Sequence, residues 1–177
     1  DELAEFPRGV LEVLRQPLEE KCIHLARQQG AYIFPADFML VAATNPCPCG
    51  MAPGPQCTCT PGQIRNYQGK LSQPFLDRID ICMEAYEELT GKETGMDSRA
   101  MREKVMLARM RQMERFREEK LTKNVQMGQN EIEKYCHLGK KEERMMRQAY
   151  EVMNLTVRSY HKVLKVARTI ADLEEKE

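Results

Sequence analysis

Four cysteines in two close pairs are the residues of this sequence best suited to chemistry. Cys47 and Cys49 form one Cys-x-Cys pair, Cys57 and Cys59 form the other, and seven residues separate the pairs. Each pair offers two thiolates from one tight turn, and the Pro- and Gly-rich loop between them can fold back around one tetrahedral ion. The spacing predicts a structural Zn²⁺ site, with a reduced thiol cluster or disulfides as the alternatives.

A second set of polar residues is suited to phosphate chemistry. Asp1 and Glu2 open the chain, Thr44 and Asn45 follow an apolar run, and Arg78 lies in a turn. Nucleotide hydrolysis needs a carboxylate near Mg²⁺, a group that positions water and cations for the transferred phosphoryl group. The sequence contains no G-x-x-x-x-G-K-[ST] loop to hold the phosphates, so this chain by itself is not expected to hydrolyse ATP.

Short elements with alternating or apolar patterns must position these residues. Apolar residues at helical spacing predict a helix over residues 7–16 that Pro17 ends. Alternation over residues 21–34, with a turn at Gly30, predicts a β-hairpin. Residues 38–43 are continuously apolar, which predicts a strand buried on both faces of a parallel sheet, with Asn45 at its carboxyl end. Residues 81–83 are predicted to form a further strand.

The second half of the sequence has an almost wholly helical pattern. Ser98 is predicted to cap a helix that reaches about residue 120, with an inner stripe of Met101, Val105, Ala108 and Phe116. Further helices are predicted over residues 129–136 and 141–153, and Thr156 is predicted to cap the last one. The sequence therefore predicts an α/β segment over residues 1–86 with a cysteine-rich loop over 46–62, a linker over 87–97 and an α-helical domain over 98–177.

Composition limits the classes of protein that this sequence can represent. The charges balance at 27 acidic and 27 basic residues, so bulk electrostatics does not indicate a nucleic-acid partner. The apolar run over residues 38–43 is too short to cross a bilayer, and we expect a cytoplasmic protein without a membrane partner. Cys22, Cys82 and Cys136 are expected to be ordinary thiols, and His24 a packed or solvated side chain.

Several motifs together resemble the magnesium-chelatase-like AAA+ ATPases of the ComM/YifB type. The most specific is Asn-Pro-Cys-Pro-Cys-Gly at residues 45–50, and the resemblance covers nearly the whole chain. The other matching stretches are Asp-Glu-Leu-Ala-Glu-Phe at 1–6, Leu-Asp-Arg-Ile-Asp at 76–80 and Val-Ala-Arg-Thr-Ile-Ala-Asp-Leu at 166–173. The resemblance implies a fragment that starts at the Walker B motif, with the second half of an AAA+ core, its pre-sensor-1 β-hairpin and an α-helical lid.

The resemblance also implies roles for individual residues. Asp1 and Glu2 match the Walker B acids, the first for Mg²⁺ and the second for activating water. Asn45 matches the sensor-1 residue, Arg78 the arginine finger that reaches a neighbouring subunit's nucleotide, and Arg158 the sensor-2 arginine of the lid. Without the resemblance, Arg78 could form a local ion pair, Arg158 could be a surface charge, and Asn45 could end a strand.

At the level of the whole protein, the resemblance implies a motor that hydrolyses ATP with Mg²⁺ in a homo-oligomeric ring, a hexamer by analogy. It implies DNA branch migration in recombination or transformation, with Arg27, Gln28 and Gln29 at the hairpin tip as candidates for DNA contact. Two alternatives stay open: an ATPase subunit that drives metal insertion into a tetrapyrrole, and a non-catalytic zinc-bearing binding module.

Overall fold

The structure is a computed structural model that describes residues 1–84 and 95–176. The chain divides into two compact units, Asp1–Cys82 and Met83–Glu177. Most of the predicted linker, residues 87–97, lies outside the described residues. Each helix that the structure describes is too short or too polar to cross a bilayer.

The first unit combines short helices with one β-hairpin. Its elements are α1 (Arg8–Val13), α2 (Arg15–Glu20), β1 (Cys22–Arg27), β2 (Gly30–Pro35), α3 (Pro61–Gln68) and α4 (Gln73–Leu76). The prediction that Pro17 ends the helical run is wrong, because α2 restarts at Arg15 and contains this proline. Pro17 lies in the first turn of α2, where a backbone N–H would have no partner inside the helix.

The predicted hairpin is present. β1 and β2 pair antiparallel with Arg27 opposite Gly30, so that a two-residue loop, Gln28 and Gln29, joins the strands. Gly30 has a φ of 144°, a conformation that other residues rarely adopt, and this explains why the reversal contains a glycine. Apolar side chains of the hairpin remain partly exposed, including Ile33 at 66%.

The prediction of a buried strand over residues 38–43 is wrong for this chain. The segment lies in no sheet, and Met39 is 86% exposed. A buried strand needs hydrogen-bonded neighbours on both edges, and the described residues form no strand other than β1 and β2. The carbonyl oxygen of Ala43 accepts a bond from the Leu3 N–H at 2.9 Å. Residues 81–83 also lie outside any sheet, and Met83 is 85% exposed.

Side-chain caps determine where α3 and α4 begin. The Thr60 hydroxyl accepts a bond from the Gln63 N–H at 3.3 Å, and the Gln63 side chain accepts one from the Thr60 N–H at 2.8 Å. Ser72 caps α4 by accepting a bond from the Phe75 N–H at 3.3 Å. Proline in the first turn of each helix reinforces these caps.

The second unit is helical, as predicted. Its helices are α5 (Ser98–Arg115), α6 (Gln129–Tyr135), α7 (Lys140–Val152) and α8 (Val157–Leu173), with a 3₁₀ turn at Asn124–Gln126. Asp97, not Ser98, caps α5 through a 2.7 Å bond from the Ala100 N–H, whereas Thr156 caps α8 as predicted. The predicted inner stripe of α5 is wrong in its first half, because Met101 and Val105 are exposed.

Apolar packing in the second unit centres on the end of α5. Phe116 and Leu164 are buried, and the Phe116 ring meets the Tyr135 ring edge to face with centroids 5.4 Å apart. Met127 and Ile132 complete this cluster. The helices of the second unit therefore pack around one continuous apolar core.

A fully buried carboxylate lies beside this core. Arg115 Nη1 and Asn124 Nδ2 donate to Asp172 Oδ2 at 2.9 and 2.8 Å, and Arg168 Nη2 donates to Asp172 Oδ1 at 2.9 Å. Burial by itself would raise the pKa of Asp172, but the bonds from Arg115, Asn124 and Arg168 outweigh it and lower the pKa to about 2. This network joins α5, the 3₁₀ turn and α8 around one ionised side chain.

Candidate functional site

The four clustered cysteines have the sulfur geometry of a metal centre. Cys47 Sγ lies 3.4 Å from Cys49 Sγ and 3.8 Å from Cys57 Sγ, and the Cys49 and Cys57 sulfurs are 3.6 Å apart. The sulfur of Cys59 lies within 4.8 Å of the other three. A tetrahedral Zn²⁺ with bonds of roughly 2.3 Å holds its sulfurs about 3.8 Å apart, so the cluster fits this ion.

Backbone turns bring these sulfurs together. The Gly50 N–H donates to the Cys47 carbonyl at 3.0 Å, and the Ala52 N–H donates to Cys47 Sγ at 3.4 Å. Gly50 has a φ of 77°, a left-handed conformation that suits glycine. On the other arm, the Cys57 N–H donates to the Gly54 carbonyl at 3.0 Å. The loop therefore presents its sulfurs to one point through its own hydrogen bonds.

The thiols differ in their tendency to ionise. Backbone N–H groups of Met51 and Thr58 lower the pKa of Cys49 to about 6, while burial and the neighbouring Cys49 and Cys47 raise the pKa of Cys59 to about 12. Four thiolates this close repel one another, so full ionisation requires a cation among them. The cysteines are free, and separations of 3.4 Å or more exceed the roughly 2.05 Å of a disulfide.

The acidic pair lies next to the end of the 38–43 segment. The bond from the Leu3 N–H to the Ala43 carbonyl joins the residue after Glu2 to the residue two positions before Asn45. Asp1 and Glu2 are exposed, and Asp1 Oδ1 accepts a 2.9 Å bond from the Glu2 N–H. The structure therefore pairs the backbone that follows the two acidic residues with the backbone that leads to Asn45.

The Asn45 side chain lies near Gly50 of the first cysteine turn. A Cβ atom built at Gly50 would lie 3.9 Å from both Cγ and Oδ1 of Asn45, which is ordinary van der Waals contact. The Asn45 amide and the first cysteine turn are therefore close in space.

Tyr67 is a residue of this region that the sequence did not indicate. It is 5% exposed on α3, and burial raises its pKa, with the Thr44 side chain lowering it and the Glu5 and Glu2 carboxylates raising it. The Lys70 ammonium lies 5.2 Å from the Tyr67 ring centre and 3.7 Å from Glu5. A buried tyrosine hydroxyl usually has a polar partner, and here the partners, Thr44 and Glu5, are distant along the chain, so no local pattern in the sequence indicates Tyr67.

Arg78 lies in the same unit but faces other partners. Its Nη2 donates to Glu19 Oε2 at 2.5 Å, and its Nη1 donates to the Pro74 carbonyl. The Arg78 side chain is 15% exposed, and its Nε is buried without a hydrogen-bond partner among the described residues. A bond of 2.5 Å from Ser72 Oγ to Glu12 Oε1 links the start of α4 to α1. Arg78 is thus held by an ion pair to α2.

The remaining predicted site residues lie at exposed positions. Arg158 is in the first turn of α8, in the second unit. Arg27, Gln28 and Gln29 lie at the tip of the hairpin, and all three are exposed. An exposed tip with one cation and two amides can donate hydrogen bonds to phosphate oxygens.

Comparison with known families covers both units. Residues 1–93 match the family described as magnesium chelatase, subunit ChlI, and residues 95–177 match the family described as magnesium chelatase, subunit ChlI C-terminal. The first match alone includes more than half of the chain. The chain therefore belongs to the magnesium chelatase ChlI family, which is a family of AAA+ ATPases.

Within that family, the chain is of the ComM/YifB type. It is 42% identical to the competence protein ComM of Haemophilus influenzae over 98% of this chain and 34% of that protein. It is 39% identical to the uncharacterized proteins YifB of Salmonella typhimurium, over 98% of this chain and 35% of that protein, and of Escherichia coli, over 99% and 35%. The chain thus spans about a third of the length of these relatives.

Proposed function

We propose that this chain supplies the water-activating and phosphate-sensing residues of an ATP site in an AAA+ motor. Asp1 would hold Mg²⁺, Glu2 would activate the attacking water and Asn45 would position that water or the γ-phosphate. The observation that supports this proposal is the Leu3 to Ala43 bond, because it pairs the backbone that follows the acidic residues with the backbone that leads to Asn45. Hydrolysis requires these groups around one triphosphate.

The two arginines would complete the site from other places. Arg78 would reach the nucleotide of a neighbouring subunit, and Arg158 would act as the sensor-2 residue of the lid. Two cations on different elements would make hydrolysis depend on subunit contact in a ring, which we propose to be a hexamer. The structure pairs Arg78 with the Glu19 carboxylate. In the proposed role, Arg78 must therefore break this ion pair and bind phosphate oxygens instead.

The nucleotide site is tested on a protein that carries this chain together with an upstream phosphate-binding segment. Glu2→Gln keeps size and hydrogen bonding but removes the base, so ATP should still bind while turnover falls by about 100-fold or more. Glu5→Gln is the matched control, since Glu5 is also acidic and follows in the same turn. Equal turnover in Glu2→Gln and the unaltered protein would overturn the assignment.

We propose that the motor acts on DNA, in branch migration during recombination or transformation, in the cytoplasm. The competence protein ComM, a 42% identical relative, supports this by its name, and the exposed hairpin tip supplies candidate contacts. DNA should stimulate ATP turnover, and Arg27→Ala should reduce this stimulation while basal turnover stays unchanged. Turnover that is indifferent to branched DNA would contradict the proposal.

The family description favours a second function, an ATPase subunit that drives metal insertion into a tetrapyrrole. Under that function, ATP turnover would rise with a chelatase partner and not with DNA. A third outcome, no turnover despite an intact phosphate-binding loop, would leave a non-catalytic zinc-bearing binding module. One assay with DNA, partner or neither therefore separates the three functions.

We further propose that Cys47, Cys49, Cys57 and Cys59 hold a structural Zn²⁺. The ion would supply the positive charge that four close thiolates require, and the sulfur separations of 3.4 to 3.8 Å support it. The Asn45 side chain lies near Gly50, so the ion would also restrict the backbone around this residue. Metal analysis should find Zn²⁺ in the purified chain, and Cys47→Ser should bind one ion fewer than the unaltered chain, while Cys82→Ser, at an exposed cysteine, binds as many.

A further inference from the structure

Three residues of different ligand type converge at the root of the hairpin. Cys22 Sγ lies 3.1 Å from His24 Nε2, and His24 Nε2 lies 3.4 Å from Glu20 Oε2. The three ligand atoms all lie within 4.8 Å of one another. A thiol, an imidazole and a carboxylate are the three side-chain groups that bind zinc in proteins.

The backbone at this point creates the convergence. Cys22 and His24 are two apart on β1, so their side chains share one face of the strand. α2 ends at Glu20, and Lys21 adopts a left-handed conformation with φ of 57° that turns the chain into β1. The Ala36 N–H donates to the Lys21 carbonyl at 2.8 Å, so the closing strand of the hairpin fixes this turn.

The surroundings leave these three groups available to a cation. The nearest neighbour in sequence with a positive charge, Lys21, has its ammonium 3.5 Å from the Asp37 carboxylate. Across the hairpin, Cys22 faces Pro35 and His24 faces Ile33, neither of which carries charge. The side chains of Glu20 and His24 are about half exposed, so an ion can reach them from solvent.

We propose that Glu20, Cys22 and His24 form a second metal site for a divalent transition ion of the Zn²⁺ type. Ligand bonds of about 2.0 to 2.3 Å place ligand atoms roughly 3.3 to 3.8 Å apart, so small side-chain rotations suffice to seat the ion. The soft thiolate excludes Mg²⁺ and Ca²⁺ as preferred occupants. Water completes the coordination, because the site is open on its solvent side.

The ion would clamp the hairpin to α2. Glu20 is the last residue of α2, and Cys22 and His24 are the first and third residues of β1. A bound ion would therefore tie the helix and the strand to one point. With only three ligands, of which Glu20 and His24 are exposed and Cys22 is partly buried, this site is weaker and more exchangeable than one with four thiolates. The proposal does not depend on the function proposed above, because neither ATP nor DNA takes part.

The test is a cobalt titration of the metal-free chain, with Co²⁺ as a spectroscopic substitute for zinc. Thiolate-to-cobalt charge transfer and the visible bands report each ion as it binds, and equilibrium dialysis with Zn²⁺ gives the stoichiometry. The unaltered chain should bind two ions. Cys22→Ser and His24→Gln should each bind one, whereas the control Cys82→Ser should still bind two.

A double variant, Cys47→Ser with Cys49→Ser, separates this proposal from the four-cysteine zinc site. It should retain one ion with a spectrum of mixed sulfur, nitrogen and oxygen ligation, and adding Cys22→Ser should abolish that ion. If the double variant binds no ion, or if His24→Gln binds as many ions as the unaltered chain, the second site is overturned. Circular dichroism checks that each variant is folded. We expect the hairpin variants to fold, because Cys22 is only partly buried and His24 is exposed.

Discussion

The two units of this chain achieve order by different means. In the second unit, Phe116 and Leu164 lie in one apolar cluster, and Asp172 is buried beside it among hydrogen-bonding partners. In the first unit, the buried apolar side chains lie on separate short elements, as with Leu11 on α1 and Phe75 on α4. Polar pairs and the cysteine cluster link those elements. The first unit, which carries the candidate functional site, is thus held together by polar side chains and thiols that can also bind a ligand or an ion.

Removing the buried charge of the second unit should have the largest effect. Asp172→Asn leaves the Arg115 and Arg168 guanidinium groups without their carboxylate, and we expect the free energy of unfolding to fall by about 3 to 5 kcal/mol. Urea denaturation monitored by circular dichroism measures the change. Glu103→Gln, which removes an exposed carboxylate of the same unit, should change stability by less than about 0.5 kcal/mol.

The metal dependence of the first unit is the next test of the comparison. If the proposed zinc is bound, its chelation, or Cys47→Ser, should lower the melting temperature of the first unit by about 5 to 10 °C, because the ion would stabilise only the folded loop. The second unit should melt unchanged. Amide hydrogen exchange reports on the two units separately. Equal loss of protection in both units would show that the metal does not stabilise the first unit alone.

Acid should weaken the second unit within a defined pH window. The folded pKa of Asp172 is about 2 against an ordinary value of 3.8, so the unfolded chain binds more protons between these values. Stability from this group is therefore complete above pH 4 and is lost as pH falls toward 2, by about 2 kcal/mol in total. Asp172→Asn should remove this component of the pH dependence. Identical acid profiles for both proteins would contradict the assignment.

The smallest expected effect comes from the ion pair of the first unit. Glu19 is 40% exposed, so solvent screens its interaction with Arg78, and we expect Glu19→Gln to cost about 0.5 to 1 kcal/mol. A double-mutant cycle of Glu19→Gln and Arg78→Gln isolates the coupling between the two side chains. Strictly additive effects would indicate that the ion pair contributes nothing to the free energy of unfolding.

Local sequence patterns predicted the elements whose signals lie within a few residues. Alternation and Gly30 predicted the hairpin, the Cys-x-Cys spacing predicted converging sulfurs, and Thr156 was correctly identified as a helix cap. The error at Pro17 has a local cause too, since a proline is compatible with a first turn as well as with a helix end. Caps and turns depend on neighbouring residues, and these are visible in a sequence.

Tertiary structure alone decided the contacts between distant residues. Arg78 pairs with Glu19 across 59 positions, and Arg115 reaches Asp172 across 57. The exposed state of residues 38–43 likewise depends on which strands are available to pair with them, not on their apolar composition. The sequence by itself determined the hairpin, the Thr156 cap and the cysteine loop, because the geometry of a few neighbouring residues specifies them. Which carboxylate pairs with an arginine, and which strand pairs with another, depends instead on which elements pack together.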